Sequence, residues 1–291
     1  MSFWLARAGR PGGLRPDSGA GALAADDRGV LYGDGAFETM LWQRGRAPLL
    51  GRHLARLRAG LHVLGFAALP WSDAALARAV GRVCGANLAQ SGFVRLTVTR
   101  GSGGRGFEST GTTAPTLLIQ AGPLPPAAGA PWRLVTSPWP VNEHSPLCQV
   151  KSISAAEKVL AKTAARERGA DEAILLNLAG QVAEGTSTNL FVVSGGRLRT
   201  PPLHCGALPG IMRALVLELA RSAGLPCAEQ PFTLAAALEA EEVLLTNALR
   251  GVIGVRAWDG RAWPDAGPVT SRLRQLVAAF LDQPAPGTAM G

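Results

Sequence analysis

The chain has 291 residues, 47% of them apolar and only 17% charged, so it can bury a large core and suits about two domains. Its net charge of +8 comes from 26 arginines and three lysines, but the arginines stand singly and aromatics make up 5%, which argues against a nucleic-acid partner. Four scattered cysteines and four scattered histidines argue against a zinc ribbon, a disulfide scaffold and a metal site, and they fit a reducing cytosol.

The first residues, "MSFWLARAGRPGG", hold too short an apolar run for a signal peptide, and no later stretch approaches membrane-spanning length. A cytoplasmic protein without a membrane partner is expected. After the tight turn "YGDG", "AFETMLWQ" reads as a strand. "GRHLARLRAGLHVLG" reads as an amphipathic helix, with Leu54, Leu57, Leu61 and Leu64 at intervals of three and four. "FVRLTVTR" alternates and predicts a strand, as does "TLLIQAG". "GPLPPAAGAP", residues 122–131, cannot hold a ladder and marks a domain boundary. Beyond it "WRLVTS", "DEAILLN", "TNLFVVS" and "EEVLLTN" predict strands, with helices over 154–168, 211–223 and 270–282. The expected organisation is a small α/β domain at 1–121, the linker at 122–131, a larger domain at 132–283 and a frayed tail at 284–291.

"RGSGGRG" contains G-x-G-x-x-G at Gly101, Gly103 and Gly106, directly after a predicted strand. A dinucleotide site needs a helix to open at once, and "FESTGTTAPT" has no helical period, so a flexible loop carrying Arg100 and Arg105 is the better reading. No G-x-S-x-G elbow or P-loop lysine is present.

All three lysines fall within "KSISAAEKVLAK", residues 151–162. Lys158, Lys162 and Arg166 follow at i, i+4 and i+8 along the predicted helix, which reads as a solvated face. Lys151 precedes the helix, where a loop end can point a side chain inward. Its primary amine can form a Schiff base, which arginine cannot. Glu184, in "QVAEGTSTNLFVV", lies between a turn and a strand; it is either a turn residue or a partner for a pyridine nitrogen. Pro209 and Gly210 open an apolar-periodic helix whose Ile211 and Met212 amides suit a phosphate, or simply begin a helix.

The ordered motifs "YGDGAFET", "HLARL", Lys151, "DEAILLNLAGQVAEGTSTNLFVV", "LPGIMR" and "LLTNALRGVIGV" resemble the fold-type IV pyridoxal phosphate enzymes. That group comprises branched-chain aminotransferase, D-amino acid aminotransferase and aminodeoxychorismate lyase. The resemblance runs from about Tyr32 to Val255, and "RGSGGRGF" with "LPGIMR…TNALRGVIGV" is most similar to the 4-amino-4-deoxychorismate lyases.

The resemblance implies a two-domain α/β fold with pyridoxal 5′-phosphate between the domains, and a homodimer. It implies that Lys151 forms the aldimine, that Glu184 binds the ring nitrogen, and that Arg56 contacts the phosphate together with the Ile211 and Met212 amides and Asn247. Arg95, Arg100 and Arg105 are the candidates for substrate carboxylates. The implied activity is cleavage of 4-amino-4-deoxychorismate, a dicarboxylate, to 4-aminobenzoate and pyruvate in folate biosynthesis. A branched-chain or D-amino acid aminotransferase of the same fold, and a non-catalytic cofactor- or nucleic-acid-binding protein, are the alternatives. The family commonly carries asparagine three residues after the lysine; this chain has Ser154, which can cap the following helix.

Overall fold

The computed structural model describes residues 3–7, 23–88, 90–104, 106–108, 114–126, 131–264 and 267–283. The chain divides into two compact units, Met1–Pro125 with Val150–Ala155, and Pro126–Gln149 with Ala156–Gly291. The sequence places one boundary in the proline-rich stretch, whose residues 127–130 lie outside the described residues, as does the tail at 284–291. A second crossing appears around Lys151, where six residues return to the first unit. Backbone hydrogen bonds explain it: the Phe37 amide donates to the Lys151 carbonyl at 2.9 Å and the Ile153 amide to the Gly35 carbonyl at 3.1 Å.

The first unit contains β1 (Phe3–Arg7), α1 (Arg28–Tyr32), β2 (Gly35–Gln43), α2 (Leu50–Val63), α3 (Asp73–Asn87), β3 (Ser91–Thr99) and β4 (Thr116–Gly122). Its strands form an antiparallel sheet in the order β1-β4-β3-β2. Alternation sends Ala36, Met40, Trp42, Val94, Leu96 and Val98 to one face. There they pack on Leu54, Leu57 and Leu61 of α2 and Leu76, Val80 and Val83 of α3. Phe37, Thr39, Arg95 and Thr97 therefore share the opposite face, with Phe37 paired to Thr97 and Thr39 to Arg95.

The second unit contains β5 (Trp132–Thr136), α4 (Ala156–Glu167), β6 (Glu172–Leu176), β7 (Val182–Gly185), β8 (Asn189–Ser194), β9 (Arg197–Thr200) and α5 (Ile211–Ser222). It continues with β10 (Cys227–Glu229), α6 (Leu234–Leu238), β11 (Glu242–Asn247), β12 (Gly251–Trp258), β13 (Arg261–Ala262) and α7 (Pro268–Asp282). The sheet runs β10-β9-β8-β11-β12-β5-β6-β7, with β13 paired to β12 and parallel pairs only where β5 and β10 join. Strands β6, β8 and β11 are buried along nearly their whole length, so their sequences are continuous apolar runs rather than alternations. Among the described residues no helix is long and apolar enough to cross a membrane.

Candidate active site

In the first unit Lys151 lies over β2. Its Nζ is 4.6 Å from the centre of the Phe37 ring, and the Arg95 guanidinium carbon is 3.7 Å from the same centre. Arg95 also donates from Nε to Thr97 Oγ1 at 3.4 Å. Among the described residues it has no carboxylate partner, and burial draws its pKa down. Two cations thus contact one aromatic ring, and Arg95 has no acidic counter-ion among the described residues.

Glu38 points the other way, into the helix-covered core, and is 0% exposed. Helix α2 brings His53 and Arg56 to it one turn apart: Arg56 donates from Nε to Oε1 at 2.8 Å and from Nη2 to Oε2 at 2.6 Å, and His53 Nδ1 donates to Oε2 at 2.6 Å. This bidentate grip fixes the Arg56 guanidinium. Burial alone would raise the Glu38 carboxyl, but the hydrogen bonds and charge from His53 and Arg56 outweigh it and hold it below the ordinary glutamate range. Burial, with the nearby charges of Arg56 and Lys151, draws His53 below the ordinary histidine value despite Glu38.

Both shifts carry the same sign for stability. Between its folded and unfolded pKa each group binds more protons unfolded than folded, so stability falls on acidification. The His53 contribution begins to be lost below about pH 6.5, and the Glu38 contribution at lower pH, as its depressed folded pKa is crossed. Thermal midpoints are expected to fall between pH 7 and pH 5, with a shallower fall in His53→Gln; an identical slope in that variant would contradict the assignment.

Arg100 is engaged elsewhere. It donates to Asp34 Oδ2 at 2.7 Å and to the Leu64 carbonyl at 2.6 Å, and it stacks on Phe66 at 4.1 Å. Asp34 also accepts from Arg28 at 3.0 Å. Burial raises the Asp34 carboxyl, but the two arginines together hold it below its ordinary value. Arg105 lies outside the described residues. The glycine-rich stretch is tethered rather than loose: buried Arg28 donates to the carbonyls of Gly103, Gly106 and Phe107, and the Gly106 amide donates to the Tyr32 hydroxyl.

Ser154 does not cap α4. Its hydroxyl donates to the carbonyl of Gly33 at 3.1 Å, and a Cβ at residue 33 would collide with that hydroxyl. Gly33 sits at φ 66°, so both its backbone and its neighbour require glycine at this point of the "YGDG" turn.

In the second unit, β7 pairs with β6 so that Glu184 lies opposite Leu175. One Glu184 oxygen, Oε2, accepts from the Leu208 amide at 2.9 Å and from Asn189 Nδ2 at 3.3 Å; the other, Oε1, accepts from Lys158 Nζ at 2.6 Å. Lys158 is therefore not part of a solvated ridge. Burial disfavours its charge, yet the charge and hydrogen bond of Glu184 outweigh that and raise its pKa. Lys162, one turn on, reaches Glu172 Oε1 at 3.1 Å and the Asp171 carbonyl. Glu172 is fully buried and also accepts from the hydroxyls of Thr186, Ser187 and Thr188, which shapes the loop between β7 and β8. The apolar period of α4 predicts the wrong face: Val159 and Leu160 are exposed, whereas the buried positions are Ala161 and Ala165, and Lys158 and Lys162 flank them because two buried carboxylates lie within reach.

Asn189 ties this region together. It bridges Glu184 to the Leu208 carbonyl, pairs in register with Thr246 on β11, and would be struck by any Cβ at Gly210. Gly210 is the N-cap of α5 and offers no side-chain cap. The Ile211 and Met212 amides have no acceptor among the described residues. Asn247 accepts at Oδ1 from the Leu249 and Arg250 amides, leaving Nδ2 as a donor without an acceptor among the described residues. A buried carboxylate, free helix amides and a side-chain amide form a donor and acceptor set that fits a phosphorylated pyridine.

Sequence reasoning passed over Phe37, Glu38, His53, Arg28 and Asn189. Glu38 had a signal: alternation puts it on the Ala36 and Met40 face, where a carboxylate needs buried partners. Asn189 had none, since its role depends on chain brought in from residues 208 and 246.

Residues 35–258 match the family described as Amino-transferase class IV, and the chain belongs to that family. A Methanocaldococcus jannaschii protein provisionally named a branched-chain-amino-acid aminotransferase is 34% identical over 255 residues, 86% of this chain and 88% of its own. Among solved structures, 4-amino-4-deoxychorismate lyase from Pseudomonas aeruginosa is 34% identical with a TM-score of 0.83, covering 97% of this chain and 100% of its own. A PLP-bound hypothetical aminotransferase from Mycobacterium tuberculosis is 25% identical with a TM-score of 0.83, covering 96% of this chain and 99% of its own.

Proposed function

We propose that this chain is a pyridoxal 5′-phosphate-dependent lyase that converts 4-amino-4-deoxychorismate to 4-aminobenzoate and pyruvate, acting as a homodimer. The observation that carries the reading is Arg95, a desolvated guanidinium without a carboxylate partner among the described residues, stacked on the ring that also carries Lys151. A dicarboxylate substrate supplies the missing counter-ion. The likeness to the Pseudomonas aeruginosa lyase across the full length of that protein supports the same choice.

The residue roles follow from their chemistry. Lys151 carries the amine that binds the cofactor aldehyde and, once released, takes the proton from the ring carbon bearing the substrate amine. Glu184 faces the cofactor ring nitrogen, and Asn189 with the Leu208 amide orients it. Arg56, gripped by Glu38, and the Ile211 and Met212 amides with Asn247 hold the phosphate. When bound, pyridoxal phosphate supplies the electron sink for the charge left by the departing proton. The carbon–oxygen bond to the enolpyruvyl group then breaks, and Lys151 returns the proton to its methylene carbon to give pyruvate. Atoms balance without water, oxidant or reductant.

An aminotransferase is the second reading, favoured by the 34% identity to the Methanocaldococcus jannaschii protein. Arg95 would then meet a carboxylate of glutamate or 2-oxoglutarate. Purified protein should release equimolar 4-aminobenzoate and pyruvate from 4-amino-4-deoxychorismate. Glutamate formation from an amino acid and 2-oxoglutarate, with no 4-aminobenzoate from the chorismate derivative, would overturn the lyase in favour of the aminotransferase.

A further inference from the structure

Lys158 and Lys162 stand one turn apart on α4 and each meets a buried carboxylate, but the two carboxylates are used differently. Glu172 is filled by three hydroxyls and two amides besides Lys162, so it is fixed structure. Glu184 has fewer donors, two on one oxygen and Lys158 alone on the other. Its Oε2 is held by Leu208 and Asn189, and Lys158 holds Oε1. If Glu184 faces the cofactor ring nitrogen, as the reading above has it, the oxygen best placed to accept from that nitrogen is the one Lys158 holds.

We propose that Lys158 competes with the cofactor ring nitrogen for Glu184 Oε1 and serves as the stand-in cation for that carboxylate whenever the ring is away. The Glu184 side chain is 6% exposed and cannot turn to water, whereas that of Lys158 is 38% exposed. A buried carboxylate stripped of its cation is costly, so Glu184 needs a partner at every stage. A lysine suits a temporary partner: its four-carbon stem is flexible, its three donors rotate, and its ammonium can withdraw into solvent. An arginine would grip both oxygens in a fixed fork and yield less readily. Lys158 is thus a positioning residue, acting through Glu184.

The test is equilibrium binding of pyridoxal 5′-phosphate to full-length protein stripped of cofactor, with thermal midpoints of stripped and loaded forms. Lys158→Met should lower the midpoint of the stripped protein while tightening cofactor binding by roughly three- to tenfold, the range a half-exposed ion pair supports. The midpoint shift on loading should therefore be larger than in the wild type. Lys158→Arg should bind the cofactor no tighter than the wild type. Should Lys158→Met fail to fold, Lys158→Gln carries the same comparison. Unchanged or weaker binding, or equal destabilisation of both forms, overturns the competition. Glu184→Gln separates the two ideas. If it leaves cofactor affinity at the wild-type value, Glu184 does not meet the ring and the underlying reading falls. If it weakens binding while Lys158→Met does not tighten it, only the competition falls.

Discussion

Replacing Lys151 by alanine should reduce turnover by at least about 10²- to 10⁴-fold, the usual contribution of a positioned proton-transfer group, and should remove the borohydride-sensitive visible band. The other two lysines cannot take over, because Lys158 and Lys162 are paired with Glu184 and Glu172. Lys151→Arg should be as inactive: it keeps a cation over Phe37 but offers no amine that can lose its proton near neutral pH. Both variants should fold, since the tie from this segment to β2 runs through the Lys151 carbonyl rather than its side chain. Matching circular dichroism and thermal midpoints would verify that. Full activity in Lys151→Ala would refute the central assignment.

The second large effect is expected at Arg95. Loss of a charge-assisted carboxylate contact costs about 1.5–3 kcal/mol, so Arg95→Leu should lower kcat/KM roughly 10- to 150-fold. Most of the change should appear in KM if the contact is made equally in the ground and transition states. Stability should change little, because the half-buried guanidinium has no acid partner among the described residues to strand. Arg100→Leu provides the contrast. It leaves Asp34 with one arginine fewer and the Leu64 carbonyl without its donor, so it should be paid for in thermal midpoint rather than in KM. If the two variants show the opposite pattern, the substrate-binding arginine is Arg100.

Much of the fold was legible because local period reports burial. Helix α2 follows from its leucines at three and four, and β2, β3 and β4 follow from alternation. Helix α3 carries the same signal, with Ser72 as its cap, once its alanines are counted as apolar. Short strands such as β7, β9 and β13 span only two to four residues, too few to show any period, and the neighbouring strand decides them. Helix α1 is held by the Asp27 cap and by Arg28 reaching into the glycine-rich stretch, a contact across some 75 residues of chain.

The sequence by itself singled out one lysine, standing ahead of α4, as the candidate for chemistry no arginine can supply, and it determined that the surrounding motifs belong to one family in the right order. Only the tertiary structure decided which cations are already spent. Arg100 is bound to Asp34 while Arg95 has no acid among the described residues, and Lys158, beside buried Ala161, is paired with Glu184. The reason is physical: period and propensity are set by neighbours along the chain, whereas a charge finds its counter-ion through space, on segments that folding brings together.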